Sequence, residues 1–196
     1  MKKKAFVEYL DSVETNRSPN GMTFYIDQAK FYDKPDLRLK WVLKGQEAVV
    51  PTQRSGRLKM LMYGAYSPQV RSIHVEEVLE ETSEITASFF LALRALYPHR
   101  RLDIVLDNAR WHYGDDVKDI ARRYAIHLHY LPAYSPDLNA IEPLWQWARQ
   151  EITYNTDYPS FVAKKHALNT FFHTVAGQPA ALYARLVRRD SSLSCG

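Results

Sequence analysis

Residues 102–145 constrain the fold of this chain more than any other stretch of the sequence. An apolar run typical of a buried strand, residues 102–106, ends at Asp107 and a polar turn. Helical spacing follows, and then a second strand-like run at 126–131 that ends in a loop containing two prolines. This loop opens into a helix that carries Glu142. The alternation predicts a β-α-β unit, whose element ends bring acidic side chains to the edge of a sheet.

The sequence before residue 80 has a different pattern, in which short strand candidates follow one another closely. They lie at residues 22–26, 39–43, 58–66 and 70–78, and the first of them ends at Asp27. Because short connections join neighbouring strands most simply as hairpins, we expect antiparallel pairing here. A short helix is expected ahead of them, over residues 4–13.

Helical spacing dominates the chain after residue 83. Helices are predicted over residues 83–97, with Ser83 as N-cap, and over 115–124, 139–154, 160–175 and 180–189. Antiparallel strands followed by β-α-β crossovers imply an α/β fold with a mixed sheet flanked by helices. If the first strand pairs with residues 102–106 in the same direction, Asp27 and Asp107 lie at the same edge of the sheet. The helix from 139 can then place Glu142 at that edge.

Composition narrows the functional classes only slightly. With 196 residues, 46% of them hydrophobic and 24% charged, the chain suits one domain with a sizeable core. A net charge of +4 permits a nucleic-acid partner without requiring one. The single cysteine, Cys195, allows no internal disulfide, and the sequence carries neither a signal peptide nor a membrane-spanning apolar run. We therefore expect a cytoplasmic protein in a reducing compartment.

Asp27, Asp107 and Glu142 form a candidate metal-binding set. Mg²⁺ prefers hard oxygen ligands, and two such ions can hold both the attacking and the leaving oxygen of a phosphodiester. Three carboxylates delivered from distant segments to element ends could supply this chemistry. Spacing alone does not exclude the other acids, which are Asp33, Asp103, Asp115, Asp116, Asp137 and Glu151.

Each of these acids also has a purely structural interpretation. An aspartate after a strand commonly bonds backbone N–H groups of its own turn, which applies to Asp27 and Asp107. Asn139 and Glu142 have the spacing of a capping box, with Asn139 as N-cap. His112 is either an assistant to the site or a loop hydrogen-bonder. Arginines near the C-terminus are interpreted first as a solvated helix face and second as phosphate contacts.

Two sequence motifs, taken together, resemble a known protein family. VLDNARWH at 105–112 and LPAYSPDLNAIEPLW at 131–145 resemble the catalytic half of IS630 family transposases, within the IS630/Tc1/mariner superfamily. The 34 residues between Asp107 and Glu142 match the family's usual spacing. FYIDQAKF at 24–31, Trp41, the Lys-Gly-Gln at 44–46 and YGAYS at 63–67 resemble earlier landmarks of the family in the same order.

The resemblance implies a ribonuclease H-like fold and a DDE triad formed by Asp27, Asp107 and Glu142. The triad would bind two divalent ions, Mg²⁺ or Mn²⁺, one activating water or a freed 3′-hydroxyl and the other stabilising the leaving oxygen. The implied organisation is an N-terminal extension at 1–20, a catalytic domain at 21–156 and a C-terminal helical extension at 157–196. Implied supporting residues are Asn108, His112 and Asn139, and implied DNA-binding residues are Arg110, Lys164, Lys165, Arg188 and Arg189.

The chain departs from the family in two respects. Gln28 stands where the family usually has a glutamate after the first aspartate. Fewer residues precede the first strand than the family's helix-turn-helix modules need, so we expect either a separate helix-turn-helix polypeptide or a truncated copy. The implied partners are DNA and a second copy of the chain as a homodimer, in the nucleoid.

Two other functions stay open at this point. A catalytically inactive, transposase-derived DNA-binding or interaction protein would share the sequence pattern without binding metal at the three acids. A related nuclease such as a Holliday-junction resolvase would share the fold, although it explains the SPDLNAIE motif poorly.

Overall fold

A five-stranded mixed sheet forms the centre of the fold in the computed structural model, which describes residues 3–15, 20–39, 43–44, 50, 52 and 54–186. The strands are β1 (Gly21–Tyr32), β2 (Lys59–Ser67), β3 (Ser72–Val78), β4 (Arg101–Leu106) and β5 (Ile126–Tyr130). Their order across the sheet is β3-β2-β1-β4-β5. The predicted strand at 39–43 and the landmarks at 41 and 44–46 lie mostly outside the described residues, as do Cys195, Arg188 and Arg189.

Strand β1 is the centre of the sheet and has different partners along its length. Residues 21–25 pair in parallel with β4, which is the condition under which the sequence analysis expects Asp27 and Asp107 to meet, and residues 25–32 pair antiparallel with β2. The expectation that Asp27 ends the first strand is therefore wrong. Because β2 continues to pair with β1 after β4 has ended, the strand runs on to Tyr32 and Asp27 lies inside it, opposite Gly64.

The remaining pairings confirm the predicted change from antiparallel to parallel strands. Strands β2 and β3 form an antiparallel pair, and β4 and β5 are parallel, with Leu106 opposite Tyr130. Parallel neighbours deliver the segments that follow them to the same edge of the sheet. The turn after β4 and the loop after β5 therefore begin side by side.

Helices cover both faces of this sheet. They are α1 (Lys3–Thr15), α2 (Ser83–Leu96), α3 (Asp115–Arg123), α4 (Glu142–Ala148), α5 (Phe161–Ala176) and α6 (Pro179–Leu186). A π-helical turn, Arg149–Thr153, extends α4, and short 3₁₀ turns occupy Arg110–Tyr113 and Pro136–Leu138. None of the helices within the described residues is both long and apolar enough to cross a membrane.

Two main cores lie on opposite faces of the sheet. Apolar residues of α2 and α3 pack with one face of the strands around Phe24 and Ile104. Apolar residues of α4, α5 and α6 pack with the other face around Phe31 and Met62. Helix α1 adds a small third core, in which Phe6 contacts the region of Val105 and Leu131. The edge where β4 and β5 end lies between these layers, and α4 begins there.

The helix starts follow the sequence except at α4, which begins at Glu142 and not at 139, and at the cap of α2. Ser160 caps α5, because its hydroxyl oxygen accepts the backbone N–H of Ala163 at 3.1 Å. For α2 the cap is Thr82, which accepts the backbone N–H of Ile85 at 3.3 Å. The predicted cap, Ser83, is already inside the helix and donates to a carboxylate oxygen of Asp116 instead.

Candidate active site

Three carboxyl groups meet at the edge of the sheet where β4 ends. Asp27 lies in the middle of β1, Asp107 directly follows β4, and Glu142 is the first residue of α4. The negative charges of Glu142 and Asp107 both raise the pKa of Asp27, and Asp107 also raises the pKa of Glu142. The fold therefore brings together three acids that the sequence separates by 80 and 35 positions.

Asp27 has the most perturbed of the three carboxyl groups. Burial raises its pKa to about 8, and the charge on Glu142 adds to this effect. The backbone N–H of Gln28 opposes the rise. The nearby indole N–H of Trp145 also lowers the pKa of Asp27, although among the described residues it has no partner at normal hydrogen-bond geometry. Asp27 thus favours its neutral form near neutral pH unless a cation is present.

Asp107 is held in place by its own turn and by His112. Its Oδ1 accepts the backbone N–H of Ala109 at 3.0 Å, as the structural interpretation of this residue predicts. Nδ1 of His112 lies 2.9 Å from the same oxygen, and its hydrogen bond is the main reason that the pKa of Asp107 lies below its usual value. Because both bonds fall on Oδ1, Oδ2 is left to face a ligand.

His112 is fully buried and connects Asp107 to two residues that the sequence analysis did not single out for this purpose. Its Nε2 lies 3.2 Å from the side-chain nitrogen of Gln28 and 3.1 Å from the hydroxyl of Tyr63. Since Nδ1 faces a carboxylate and carries the hydrogen, Nε2 accepts from these donors. Tyr63 in turn lies 3.3 Å from the hydroxyl of Thr86. Gln28 therefore has a defined partner, which no spacing in the sequence could reveal because β1, β2 and α2 each supply one member.

Asn139 fixes the loop before α4 to β1, and the capping-box prediction is wrong. Its side-chain N–H donates to the backbone carbonyl of Ile26 at 3.1 Å, one residue before Asp27. Ile141 occupies the N-cap position instead, without a side-chain cap. The Glu142 carboxyl is consequently free of capping and faces the other two acids. Burial raises its pKa, Arg149 opposes that rise, and Asp107 adds to it.

Gly64 makes room for the helix that carries Glu142. It is the residue of β2 directly opposite Asp27. A Cβ atom at this position would lie 2.5 Å from the ring of Trp145 and 2.9 Å from Ile141. Only a glycine lets the start of α4 lie this close to the sheet. The YGAYS landmark therefore has a steric cause that concerns the site itself.

Asn108 holds the two segments that leave β4 and β5 together. Its side-chain N–H donates to the backbone carbonyl of Leu131, and its side-chain oxygen accepts the hydroxyl of Tyr113. The Tyr113 ring stacks on Tyr130 with ring centroids 4.4 Å apart. Asn108 thus supports the site by fixing the loop after β5 beside the turn that carries Asp107.

The residues expected to contact DNA differ in their surroundings. Lys164 is buried and donates to the backbone carbonyl of Lys34 at 2.8 Å, so its assignment as a phosphate contact is wrong. Lys164 lies on the side of α5 that faces the loop after β1, and its spacing in the sequence does not predict this orientation. Lys165 forms an ion pair with Glu77. Arg110 is exposed and forms no ion pair with the described part of the chain.

An open cleft of about 1080 Å³ contains Asp27 and Glu142 in its wall. Its lining also includes the cationic residues Lys30, Arg38 and Arg149. Lys30 is paired with Glu81 at 2.5 Å, and Arg149 with Asp36 at 3.3 Å. The wall of the cleft therefore carries both signs of charge.

The donor set fits Mg²⁺ or Mn²⁺ by its chemistry. All three groups are carboxylates, which are the hard oxygen ligands these ions prefer. Burial raises the pKa of Asp27 and of Glu142, repulsion among the acids adds to the rise, and a divalent cation would offset both effects. Among the described residues, no three acidic, histidine or cysteine side chains are already grouped closely enough to enclose an ion. Binding would therefore have to draw the three carboxylates together.

The raised pKa of Asp27 predicts how stability depends on pH. Between the ordinary pKa of an unfolded aspartate and about 8, the folded chain keeps a proton that the unfolded chain has lost. We therefore expect the metal-free protein to lose on the order of 2 kcal/mol of unfolding free energy as the pH rises from 5 to 8, a figure reduced for partial solvent contact. Denaturant unfolding in EDTA measures this. In the Asp27→Asn variant the unfolding free energy should change less with pH. The same change with pH in the variant and the wild type would contradict this role of Asp27.

Comparison with known proteins identifies the family of the chain. The sequence profile of the DDE superfamily endonucleases matches residues 22–163, which include all three acids and all of the sheet except Gly21. The chain belongs to the DDE superfamily endonucleases. A relative from Shigella sonnei, the insertion element IS630 uncharacterized 39 kDa protein, is 25% identical over 158 residues. That alignment covers 80% of this chain and 46% of the relative, so this DDE superfamily endonuclease spans about half of the relative's length.

Solved structures with a similar fold come from the Mos1 mariner transposase. The Mos1 paired-end complex with the left transposon end matches with a TM-score of 0.71 at 20% identity, over 95% of this chain and 57% of that one. The Mos1 catalytic domain matches with a TM-score of 0.64 at 15% identity, over 95% and 85% of the two chains. The expected ribonuclease H-like fold is confirmed, as is the resemblance of this DDE domain to the IS630/Tc1/mariner superfamily.

Proposed function

We propose that this DDE superfamily endonuclease is the catalytic domain of a transposase that cuts DNA strands and transfers them to a target with divalent metal ions. The observation that carries the proposal is the convergence of Asp27, Asp107 and Glu142 on one edge of the sheet. Burial raises the pKa of Asp27 and of Glu142 there, and the charge on Asp107 adds to both effects. Solved structures with a similar fold include Mos1 paired-end complexes with Mn and with Mg, which supports the same class of cofactor here.

The three acids would hold two ions, Mg²⁺ or Mn²⁺. When bound, such ions lower the pKa of an attacking water or 3′-hydroxyl and stabilise charge on the leaving 3′-oxygen. The residues of the chain supply position. His112 orients the Asp107 carboxylate through Oδ1, and Asn139 ties the start of α4 to the strand carrying Asp27. The first contact fixes the carboxylate within its own turn and the second fixes two distant segments relative to each other before substrate arrives, which lowers the entropic cost of reaction.

The proposal includes DNA as substrate and as the main partner. Arg110 is exposed three positions after Asp107 and suits a contact with a phosphate near the cut. Lys165 could join it only if its pair with Glu77 opens. Pairing of two copies as a homodimer and action at the nucleoid complete the proposal.

A plasmid assay tests this function. The purified chain is incubated with supercoiled plasmid in Mg²⁺, Mn²⁺ or EDTA, and fractions from gel filtration are assayed separately. We expect open-circular product with either ion, no product in EDTA, and activity that elutes with the chain. A labelled oligonucleotide with a free 3′-hydroxyl should also become joined to the plasmid. DNA binding without nicking in either ion would instead identify a non-catalytic DNA-binding protein.

A further inference from the structure

Tyr134 is the most unusual residue in the loop that follows β5. Its side chain is 97% exposed, and its backbone has a φ of +56°, in the left-handed region that a bulky aromatic residue rarely adopts. The other non-glycine residues with positive φ in the described chain are Arg71, Ala125 and Asn155, none of which is aromatic. A strained conformation that presents an apolar ring to solvent stabilises nothing within the folded chain, so it points to a contact outside it.

The loop on either side of Tyr134 is firmly held. The backbone N–H of Leu131 donates to the carbonyl of Leu106 at 2.8 Å, one residue before Asp107. Ser135 is buried, and the backbone N–H of Leu138 donates to its carbonyl at 3.1 Å. Asn139 then reaches Ile26, one residue before Asp27. Tyr134 is therefore not part of a loose loop, because the segments on either side of it are bonded to Leu106 and Ile26, the residues directly before the two aspartates of the site.

The position of this ring relative to the site follows from chain geometry. Three residues span at most about 10 Å, so the Tyr134 backbone lies within that distance of Leu131 at the end of the sheet. Arg110, exposed and without an ion pair in the described structure, leaves the neighbouring strand at the same edge. Tyr134 and Arg110 thus belong to two segments that leave the same edge of the sheet next to each other. An exposed aromatic ring and an unpaired guanidinium at one edge are the groups that bind single-stranded nucleic acid, in which bases stack and phosphates pair with cations.

We propose that Tyr134 stacks on an unpaired nucleobase close to the phosphate that is cut, while Arg110 contacts the backbone of the same strand. This inference rests on the proposed function and deepens it, because it assigns a base-contacting residue at the entrance to the site. The contact requires a base outside the duplex stack, so it favours single-stranded or frayed DNA ends over intact duplex. Since every base presents a flat face, it carries little sequence preference.

A glycine variant at position 134 distinguishes a role of the ring in DNA binding from a role in stabilising the fold. Tyr134→Gly relieves the positive φ and should raise the midpoint of thermal unfolding, yet it removes the ring. We expect Tyr134→Gly and Tyr134→Ala to bind fluorescein-labelled dT20 about tenfold more weakly at fixed salt, with a smaller loss for a duplex of equal length. Tyr134→Trp should stay within about threefold of the wild type. Ala125→Gly is the matched control, because it relieves a φ of +50° at the start of β5, at the other end of that strand.

Three results decide the matter. Weaker dT20 binding by both Tyr134 variants, with higher thermal stability for the glycine variant and unchanged binding by Ala125→Gly, supports the inference. Equal dT20 binding by the wild type and both variants overturns it, even if metal-dependent plasmid nicking is intact and the proposed function survives. A wild-type chain that neither binds dT20 nor nicks plasmid overturns both.

Discussion

Replacing Asp107 with asparagine is expected to reduce metal-dependent strand nicking by at least about a hundredfold while the chain remains folded. The asparagine side-chain oxygen can still accept the N–H of Ala109 and the Nδ1–H of His112, so the turn after β4 is retained. What is lost is the negative charge on the oxygen that faces the ligand. Plasmid nicking in Mg²⁺ and Mn²⁺, with circular dichroism as a check on folding, measures the effect.

Asp119→Asn provides the matched control for this substitution. Asp119 is an exposed aspartate of α3 whose carboxylate pairs with Arg122 at 3.1 Å, away from the site. It should nick plasmid at the wild-type rate. Equal activity of the wild type and Asp107→Asn would remove Asp107 from the chemistry.

Replacing Gly64 with alanine is expected to destabilise the chain by about 2–3 kcal/mol and to reduce nicking as well. The new Cβ would meet the Trp145 ring at 2.5 Å and the Ile141 side chain at 2.9 Å, so α4 must move away from the sheet. Because Glu142 begins α4 and Asp27 lies opposite Gly64, that movement separates two of the acids. Denaturant unfolding and plasmid nicking report the two effects.

A second glycine distinguishes crowding at this position from a general effect of adding a methyl group. A Cβ at Gly177, after α5, would make only ordinary contacts of 3.5 and 3.9 Å with backbone oxygens, so Gly177→Ala should change stability little. The double variant Gly64→Ala with Trp145→Phe should recover part of the lost stability, because the smaller ring leaves space for the methyl group. A stable, active Gly64→Ala protein would contradict the steric explanation.

The sequence predicted the order of the elements well because their periodicities are local. Antiparallel strands followed by β-α-β crossovers appear as expected, and the parallel pairing of β1 with β4 brings Asp27 close to Asp107. Strand length was predicted less well. The first strand runs on beyond Asp27 because its partner β2 continues, and a partner's length cannot be inferred from the strand's own residues.

Contacts between distant segments account for what the sequence could not predict. Asn139 and Glu142 have capping-box spacing, but a buried backbone carbonyl at Ile26 takes the Asn139 side chain instead. Gln28 departs from the family pattern and yet contacts His112, which in turn orients Asp107. Lys164 has the positive charge of a DNA contact, but its side chain is buried and donates to the backbone carbonyl of Lys34. In each case a tertiary partner decides the role of the residue.

Diffraction from Mn²⁺-soaked crystals of the chain, recorded for the anomalous signal of manganese, shows whether the three acids bind metal together. We predict manganese peaks at the edge of the sheet where β4 ends, in contact with carboxylate oxygens of Asp27, Asp107 and Glu142. Peaks confined to other sites, or a peak at this edge that contacts only one of the three acids, would contradict it.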